Sequence, residues 1–400
     1  MKILSFGHIP TWAGGLQNSG IANVIYQLAK YGSEVDDANV VLAATDVFVP
    51  ERKDGKLLVA GWTKKMLLTF ALLHPAHAIR NLVGLIRLAI SFPLCEHFWG
   101  VYFKRLFLVR SLLEYKPDLV HLHGMTPLYY LGLIPPNIKR VVTFHGICGT
   151  DRSLPNYKRL YEMEKEVYHS PNVDAFFFIS NKLVRLFSDA YGDIDSKKKY
   201  VIFNSYDEKN FYYIDNLPRK KPEVTVLCTI ASLSELKGQE RVIKAIGKLS
   251  PEKFRYFCIG YGEEQMVFYL SNLAKENNVG FEYLGTMKPD RIREHLYQAD
   301  YMIMPSSSEG FGLSYLESIA CGVPVIMPKD IPIAFEKELI NDSNSILLDD
   351  CSVESIVRVL SEIDNYRFIR AEVANSIKGS SWWNVVKKYY SCFKIITGKI

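Results

Sequence analysis

At 400 residues, 48% hydrophobic and 23% charged, the chain is long enough for two domains and too rich in apolar residues to be disordered or fibrous. Its formal net charge of +5 is unevenly placed: residues 1–215 carry 25 Lys and Arg against 20 Asp and Glu, whereas residues 216–400 carry 23 of each. The basic excess suits an anionic partner such as a phospholipid or lipid phosphate; nucleic acid is disfavoured because no reading helix or aromatic platform organises the basic residues.

The first residues, MKILSFGHIP, hold one lysine and four apolar positions before a glycine, which reads as a buried strand rather than a signal peptide. A cytoplasmic location is therefore expected. Short apolar runs then alternate with helical patterns, the signature of βαβ units building parallel sheets, so the fold class is α/β. Strands are expected at Lys2–His8, Val40–Ala44, Asp118–Gly124, Arg140–Gly146, Ala175–Ser180 and Tyr200–Ser205 in the first half. In the second they are expected at Val224–Ile230, Arg255–Gly260, Gly280–Gly285, Tyr301–Ser306, Pro324–Met327 and Ser345–Leu348.

Residues 57–113 interrupt this alternation. Met66–Leu94 is rich in Leu, Ile and Phe, carries Arg80 and Arg87, and is flanked by Lys64, Lys65, Lys104, Arg105 and Arg110. Two readings stand: amphipathic helices lying on an anionic membrane surface, or an inserted helical pair whose apolar face packs on its own domain. No run of about 18 apolar residues could cross a membrane.

The polar, proline-containing stretch DNLPRKKPE reads as a linker, placing one domain at 1–215 and a second at 216–380. Sheets of this kind bind ligands at the carboxyl ends of their strands, so a shared central cleft is expected. The final segment 381–400, SWWNVVKKYYSCFKII, has helical spacing and suits a helix returning to the first domain, with Trp382 and Trp383 as packing residues. The seven cysteines, Cys95, Cys148, Cys228, Cys258, Cys321, Cys351 and Cys392, lie mostly in apolar runs and read as free thiols used for packing.

The segment carrying most chemistry is SSSEGFGLSYLESIACGVPVIM, residues 306–327. After an apolar strand, Gly310 and Gly312 allow close backbone approach, and a helix from about Leu313 offers unpaired N–H groups to an anion such as a diphosphate. Glu309 and Glu317 can both turn toward that ligand; carboxylates accept hydrogen bonds from sugar hydroxyls as readily as they move protons. Alone, two glutamates eight residues apart are more often ordinary surface residues. His121 and His123 in HLHG share a strand face, but no further ligand is spaced to complete a zinc site, so no metal is expected. GYGEEQ, with Gly260 and Gly262, reads as a strand-to-helix turn at the cleft floor.

The 306–327 segment closely resembles the EGFG motif of retaining GT-B glycosyltransferases of family four, and other segments match in order along essentially the whole chain. The resemblance implies two Rossmann-like domains, with Glu309 facing the transferred sugar and Glu317 holding the ribose hydroxyls. It further implies that the amides around Phe311, Gly312 and Leu313 hold sugar and phosphate oxygens, with Gly310 in the same loop. WAGGLQNSG, with Gly14 and Gly15, resembles the family's first glycine loop over the donor phosphates; VVTFHG places His145 beside the sugar. FISNKLVRLF with VIFNSYDEKNF resembles the end of the first domain, although Ser205 stands where glycine is usual. TIASLSELKGQERVIKAI resembles the turn where an arginine and a lysine neutralise the diphosphate. Lys237 matches the lysine, but Ser232 occupies the arginine's position, a departure costing about 1.5–3 kcal/mol of charge-assisted bonding.

The activity this resemblance implies is transfer of a hexose-type sugar, with retention and without metal or cofactor, from a nucleotide diphosphate sugar to a glycan or lipid-linked saccharide. Surface polysaccharide assembly at the inner face of the cell membrane is the expected setting. Two other readings remain open. One is a nucleotide-sugar epimerase or phosphorylase on the same architecture; the other, motivated by Ser232, is a catalytically silent sugar-nucleotide binder or scaffold.

Overall fold

The computed structural model describes every residue of 1–400 except 18, 47–48, 93, 95, 151–155, 196–197, 217–223 and 400. Its chain divides into two compact units, Met1–Asn204 with Trp382–Ile400, and Ser205–Ser381.

The first unit runs β1 (Lys2–Gly7), α1 (Gly20–Ser33), β2 (Asn39–Ala44), β3 (Arg52–Asp54), β4 (Leu57–Ala60), α2 (Lys64–Leu73), α3 (Pro75–Ser91), α4 (Phe98–Tyr115), β5 (Leu119–His123), β6 (Lys139–Phe144), α5 (Tyr157–Tyr168), β7 (Ala175–Phe178), α6 (Asn181–Tyr191) and β8 (Lys199–Val201). Among the described residues its sheet has the order β3-β4-β2-β1-β5-β6-β7-β8. All neighbours are parallel except the β3/β4 pair. In register, Ile3 lies between Val40 and Leu119. The continuous apolar runs of β1, β2, β5 and β6 follow from covering both faces with helices, since neither face of such a strand meets water. Ser19, Thr63 and Ser180 start α1, α2 and α6 by accepting a backbone N–H three residues on.

In the second unit come β9 (Thr225–Ile230), α7 (Gln239–Gly247), β10 (Phe254–Ile259), α8 (Glu264–Glu276), β11 (Gly280–Tyr283), α9 (Pro289–Leu296), β12 (Tyr301–Ile303), α10 (Leu313–Ala320), β13 (Val325–Pro328), β14 (Ser345–Leu348), α11 (Val353–Ser361) and α12 (Arg370–Asn375). The described strands form a parallel sheet in the order β11-β10-β9-β12-β13-β14. Strand order reverses between β9 and β12, which makes their carboxyl ends the place where a doubly wound sheet opens a crevice for ligand.

Each of the twelve expected strands is present, within a few residues at the ends. Two expectations need correction. First, residues 57–113 are not one helical insertion: Leu57–Ala60 is β4, bonded parallel to β2, and α4 contacts β1 and β2 as the crossover helix before β5. Only α2 and α3 are added to the regular pattern. The β3/β4 hairpin escapes sequence reading because it is short and its outer strand, RKD, is polar, as exposed edge strands tend to be. Second, the units divide after Asn204, earlier than 215. The intervening segment belongs to the second unit because the Tyr297 hydroxyl donates to the Tyr212 carbonyl (2.6 Å), Arg293 donates to the Asn210 carbonyl (2.7 Å), and the Arg293 guanidinium lies 4.5 Å from the Tyr212 ring centre. Most of the expected linker, 217–223, lies outside the described residues. The GYGEEQ segment is the expected strand-to-helix turn, joining β10 to α8, with Gly260 at φ 147 where a Cβ would collide with the Ala231 carbonyl.

The terminal helix α13 (Trp382–Thr397) belongs to the first unit. Tyr389 stacks on Phe177 at 4.9 Å, Phe393 meets the His121 ring edge-on at 5.4 Å, and Lys399 pairs with Asp118 at 2.6 Å. Trp382 is buried, whereas Trp383 carries Lys387 over its ring. Cys228, Cys258 and Cys321 are buried thiols in no disulfide, and burial raises all three, Cys258 and Cys321 to about 12; Cys148, Cys351 and Cys392 are half-buried and likewise in no disulfide, and Cys95 lies outside the described residues. Phe393→Ala, which empties the space between α13 and the sheet, is expected to lower unfolding free energy by about 3–5 kcal/mol in denaturant titration.

Candidate functional site

The sequence-identified residues fall into two groups, one in each unit, both beyond the carboxyl ends of strands. In the second unit, β9 ends at Ile230 and the chain turns through Ser232 into a short 3-10 turn, Glu235–Lys237, before α7. Gly238 joins them at φ 81, and a Cβ there would lie 2.7 Å from the Pro305 carbonyl oxygen. The turn is thus pressed against the loop after β12. Arg241 stitches the two together, donating to the Glu235 carbonyl at 3.1 Å and the Pro305 carbonyl at 2.7 Å, while the Ser307 N–H donates to the Leu236 carbonyl.

That seam brings Lys237 to Glu309: Nζ and Oε1 are 2.6 Å apart, with the glutamate side chain only 9% exposed. Burying a carboxylate is costly unless it is paired, and the lysine supplies the pairing. Gly310 is exposed, Phe311 is buried, and Gly312 precedes α10 at φ 99, where a Cβ would strike the Tyr315 ring at 2.6 Å. A left-handed glycine turn aims the first amides of α10, beginning at Leu313, away from the helix body, as an anion requires. The Tyr315 hydroxyl donates to the Met304 carbonyl at 2.6 Å and fixes the helix to the strand end.

Glu317 lies one turn into α10 and is not paired with Lys237. Burial, and then the negative charge of Asp207, raise its carboxyl from 4.5 to about 7. Ser232 is exposed, its carbonyl accepting from the buried Gln239 amide at 3.0 Å. It supplies no positive charge.

In the first unit, Gly14 and Gly15 lie after β1. Gly14 has φ 79, and a Cβ on Gly15 would sit 1.9 Å from the Ile9 carbonyl oxygen, so only glycine fits this fold of the loop. Two braces hold it. At the base, Asp46 accepts from the Ile9 N–H at 3.2 Å and pairs with His8 Nδ1 at 2.8 Å. Burial would raise the Asp46 carboxyl, but hydrogen bonds from His8, Ile9 and Gln17 outweigh it and hold it below the usual carboxylate range. Over the top, Arg52 of β3 donates to the Ala13 carbonyl and bonds Asp54, which accepts from the Tyr26 hydroxyl at 3.0 Å.

His145 follows β6 and is 5% exposed. Its Nε2 bonds His123 Nδ1 at 3.1 Å, and His121 bonds Thr143 at 2.7 Å, so these rings form a buried ladder. Among the described residues no group of three potential ligands is placed to hold a metal ion. Burial lowers all three imidazoles, His145 to about 4, keeping it neutral at ordinary pH. Its Nδ1 has no partner among the described residues. Beyond His145 the loop is anchored by buried Glu164, which accepts from the Cys148 and Gly149 N–H groups and the Tyr191 hydroxyl.

Sequence reading missed Arg241, Gln239, Asp46, Arg52 and Glu164. Gln239 acts on the backbone of its own turn, and the other four on backbone atoms farther along the chain, a role no local pattern reports. Because Glu317 has a higher pKa folded than unfolded, its protonated form is favoured by folding: stability falls as pH rises from about 4.5 to about 7 and then levels off. Glu317→Gln is expected to flatten that slope, worth about 1–2 kcal/mol after solvent screening, in melts recorded across this range.

Residues 18–210 match the family described as Glycosyltransferase Family 4, and residues 214–373 match that described as Glycosyl transferases group 1. The chain is 29% identical over 226 residues to N-acetyl-alpha-D-glucosaminyl L-malate synthase of Bacillus anthracis, covering 52% of this chain and 56% of that one. It is 33% identical over 170 residues to the O-antigen biosynthesis glycosyltransferase WclY of Escherichia coli, covering 40% and 47%. It thus spans about half the length of these curated relatives. Among solved structures, Anabaena Alr3699/HepE in complex with UDP-glucose superposes with a TM-score of 0.68 at 15% identity, over 99% of this chain and 100% of that one. With both family matches in chain order and two parallel-sheet units of this topology, the chain belongs to the GT-B glycosyltransferases of family four.

Proposed function

We propose that the protein moves a hexose-type sugar from a nucleoside diphosphate sugar to a saccharide or lipid-linked saccharide acceptor, with retention of configuration, in surface polysaccharide or glycolipid assembly. The observation carrying this reading is the pairing of Lys237 with Glu309 beside the glycine turn of α10, at the strand-order reversal of the second sheet. The names of the relatives, an O-antigen transferase and a glucosaminyl malate synthase, and the UDP-glucose bound to HepE, support the substrate class.

In this mechanism the sugar C1–O bond to the diphosphate breaks while the acceptor oxygen bonds C1 on the same face, and the acceptor's proton passes to the departing phosphate oxygen. The chain's work is electrostatic and positional. Lys237 and the α10 amides stabilise the leaving diphosphate, with the Gly14–Gly15 loop assigned to the same phosphates. Glu309 accepts from the sugar hydroxyls, Glu317 from the ribose, and the unpartnered Nδ1 of neutral His145 is assigned to a sugar hydroxyl. No step assigned to these residues requires a metal or cofactor.

Ser232 favours one second reading, a silent sugar-nucleotide binder, because the only cation the pairing provides is already engaged by Glu309. Nucleotide release from UDP-, GDP- and ADP-sugars, with and without a membrane lipid extract and with chelator throughout, separates the two. Release from one donor is expected; binding without release from any donor would favour the silent binder, and Ser232→Arg would then be expected to tighten binding without restoring turnover.

Glu309→Ala and His145→Ala are each expected to lower kcat at least about 100-fold while changing donor Kd by less than about tenfold. Unchanged turnover in either would remove that residue from the site. Since His145 is held neutral by burial down to about pH 4, its ionisation is expected to leave no limb in the kcat profile between about pH 6 and 8.

A further inference from the structure

Helix α3 carries two apolar faces. The inner one is fixed: Leu85 is fully buried, and buried Asn81 accepts from Arg105 Nε of α4 at 2.8 Å while donating to the Tyr102 carbonyl at 3.2 Å. Arg105 is itself buried and donates to the Tyr129 carbonyl, and burial lowers its pKa to about 10. Rolling the helix would take Asn81 away from this guanidinium, a cost for a buried charge that then keeps, among the described residues, only the Tyr129 carbonyl. Its rotation about its own axis is therefore set.

On the other side, Ile79, Val83, Ile86 and Ile90 recur at i, i+4, i+7 and i+11, a single stripe on a helix of 3.6 residues per turn, and they are 42% to 80% exposed. Leu68 and Leu72, one turn apart on α2, are also exposed. Branched aliphatic side chains lined up in water in this way mark a contact surface rather than scattered surface apolars. The charge pattern says what it meets. From residue 55 to residue 95 the sequence contains Lys56, Lys64, Lys65, Arg80 and Arg87 and no Asp or Glu. A second copy packed face to face would bring like charges together, whereas an anionic lipid surface complements both the charges and the apolar stripe.

We propose that the outer face of α2 and α3 is a membrane-docking surface that inserts its isoleucine stripe at the headgroup level of an anionic bilayer, with Lys64, Lys65, Arg80 and Arg87 on the lipid phosphates. Among the described residues no helix is long and apolar enough to cross a membrane, so attachment is to one leaflet. The purpose of docking rests on the proposed lipid-linked acceptor; the surface itself does not.

The test is flotation of the full chain with vesicles of phosphatidylcholine, alone or mixed with phosphatidylglycerol. Binding to the anionic vesicles that weakens as salt is raised is expected. Arg80→Gln with Arg87→Gln should lower the partition coefficient about 25-fold, at about fivefold per charge. Ile79→Ser with Ile90→Ser should lower it about tenfold or more. Thermal melts and vesicle-free nucleotide release of each variant should match the parent chain. No binding by the parent, or binding unchanged in both double variants, would overturn the proposal. So would concentration-dependent self-association abolished by the isoleucine changes, which would give the face to a second copy. Vesicle binding without nucleotide release from any preparation would count against the transferase reading and leave this surface standing; nucleotide release without vesicle binding would do the reverse.

Discussion

Parallel pairing of strands is the constraint that shapes both units. A parallel sheet forces each strand to be re-entered from the same end, so every crossover helix lies on a face and every strand's carboxyl end opens on the same edge. In the second unit the order β11-β10-β9-β12-β13-β14 sends the chain to one side of β9 and then back to the other. The loops leaving β9 and β12 therefore diverge from neighbouring strands, and Lys237 and Glu309, 72 residues apart, meet across them. Arg241 and Gly238 make that meeting rigid by holding the two loops backbone to backbone.

The same rule acts in the first unit on different residues. The loops after β1 and β6 carry the glycine pair and His145, and each is pinned by a buried carboxylate, Asp46 in one case and Glu164 in the other. Asp46 accepts one backbone N–H and Glu164 two, and a buried carboxylate bonded in this way holds a loop without covering its outer side.

How far the sequence discloses this depends on the range of the interaction. Strands buried on both faces write continuous apolar runs, so β1, β2, β5 to β7 and most of the second sheet are legible without any contact being known. The glycine-bearing loop at 306–327 is legible for a similar reason, because its backbone conformation demands glycine at fixed places. The β3/β4 hairpin is not, since three polar residues at an edge resemble a loop. Nor is the unit boundary: Asn210 and Tyr212 read as the end of the first domain until Arg293 and Tyr297 are brought to them by the fold. The two-sided character of α3 is equally hidden, since periodicity gives the spacing of apolar residues but does not tell which stripe faces inward; the buried Asn81–Arg105 bond decides that.

With Ser232 neutral, Lys237 is the cation that the ion pair gives to Glu309, and a dianionic diphosphate placed beside α10 would compete for it. Sharing one lysine between a carboxylate and a diphosphate raises the local negative charge and loosens the hold on Glu309 at the moment the ligand arrives. On the proposed reading, the α10 amides would then carry a larger share of the anion than they would beside an arginine. On the same reading, a carboxylate released in this way would be free to accept from a sugar hydroxyl, which would make the low cation count and the role proposed for Glu309 two sides of one electrostatic arrangement.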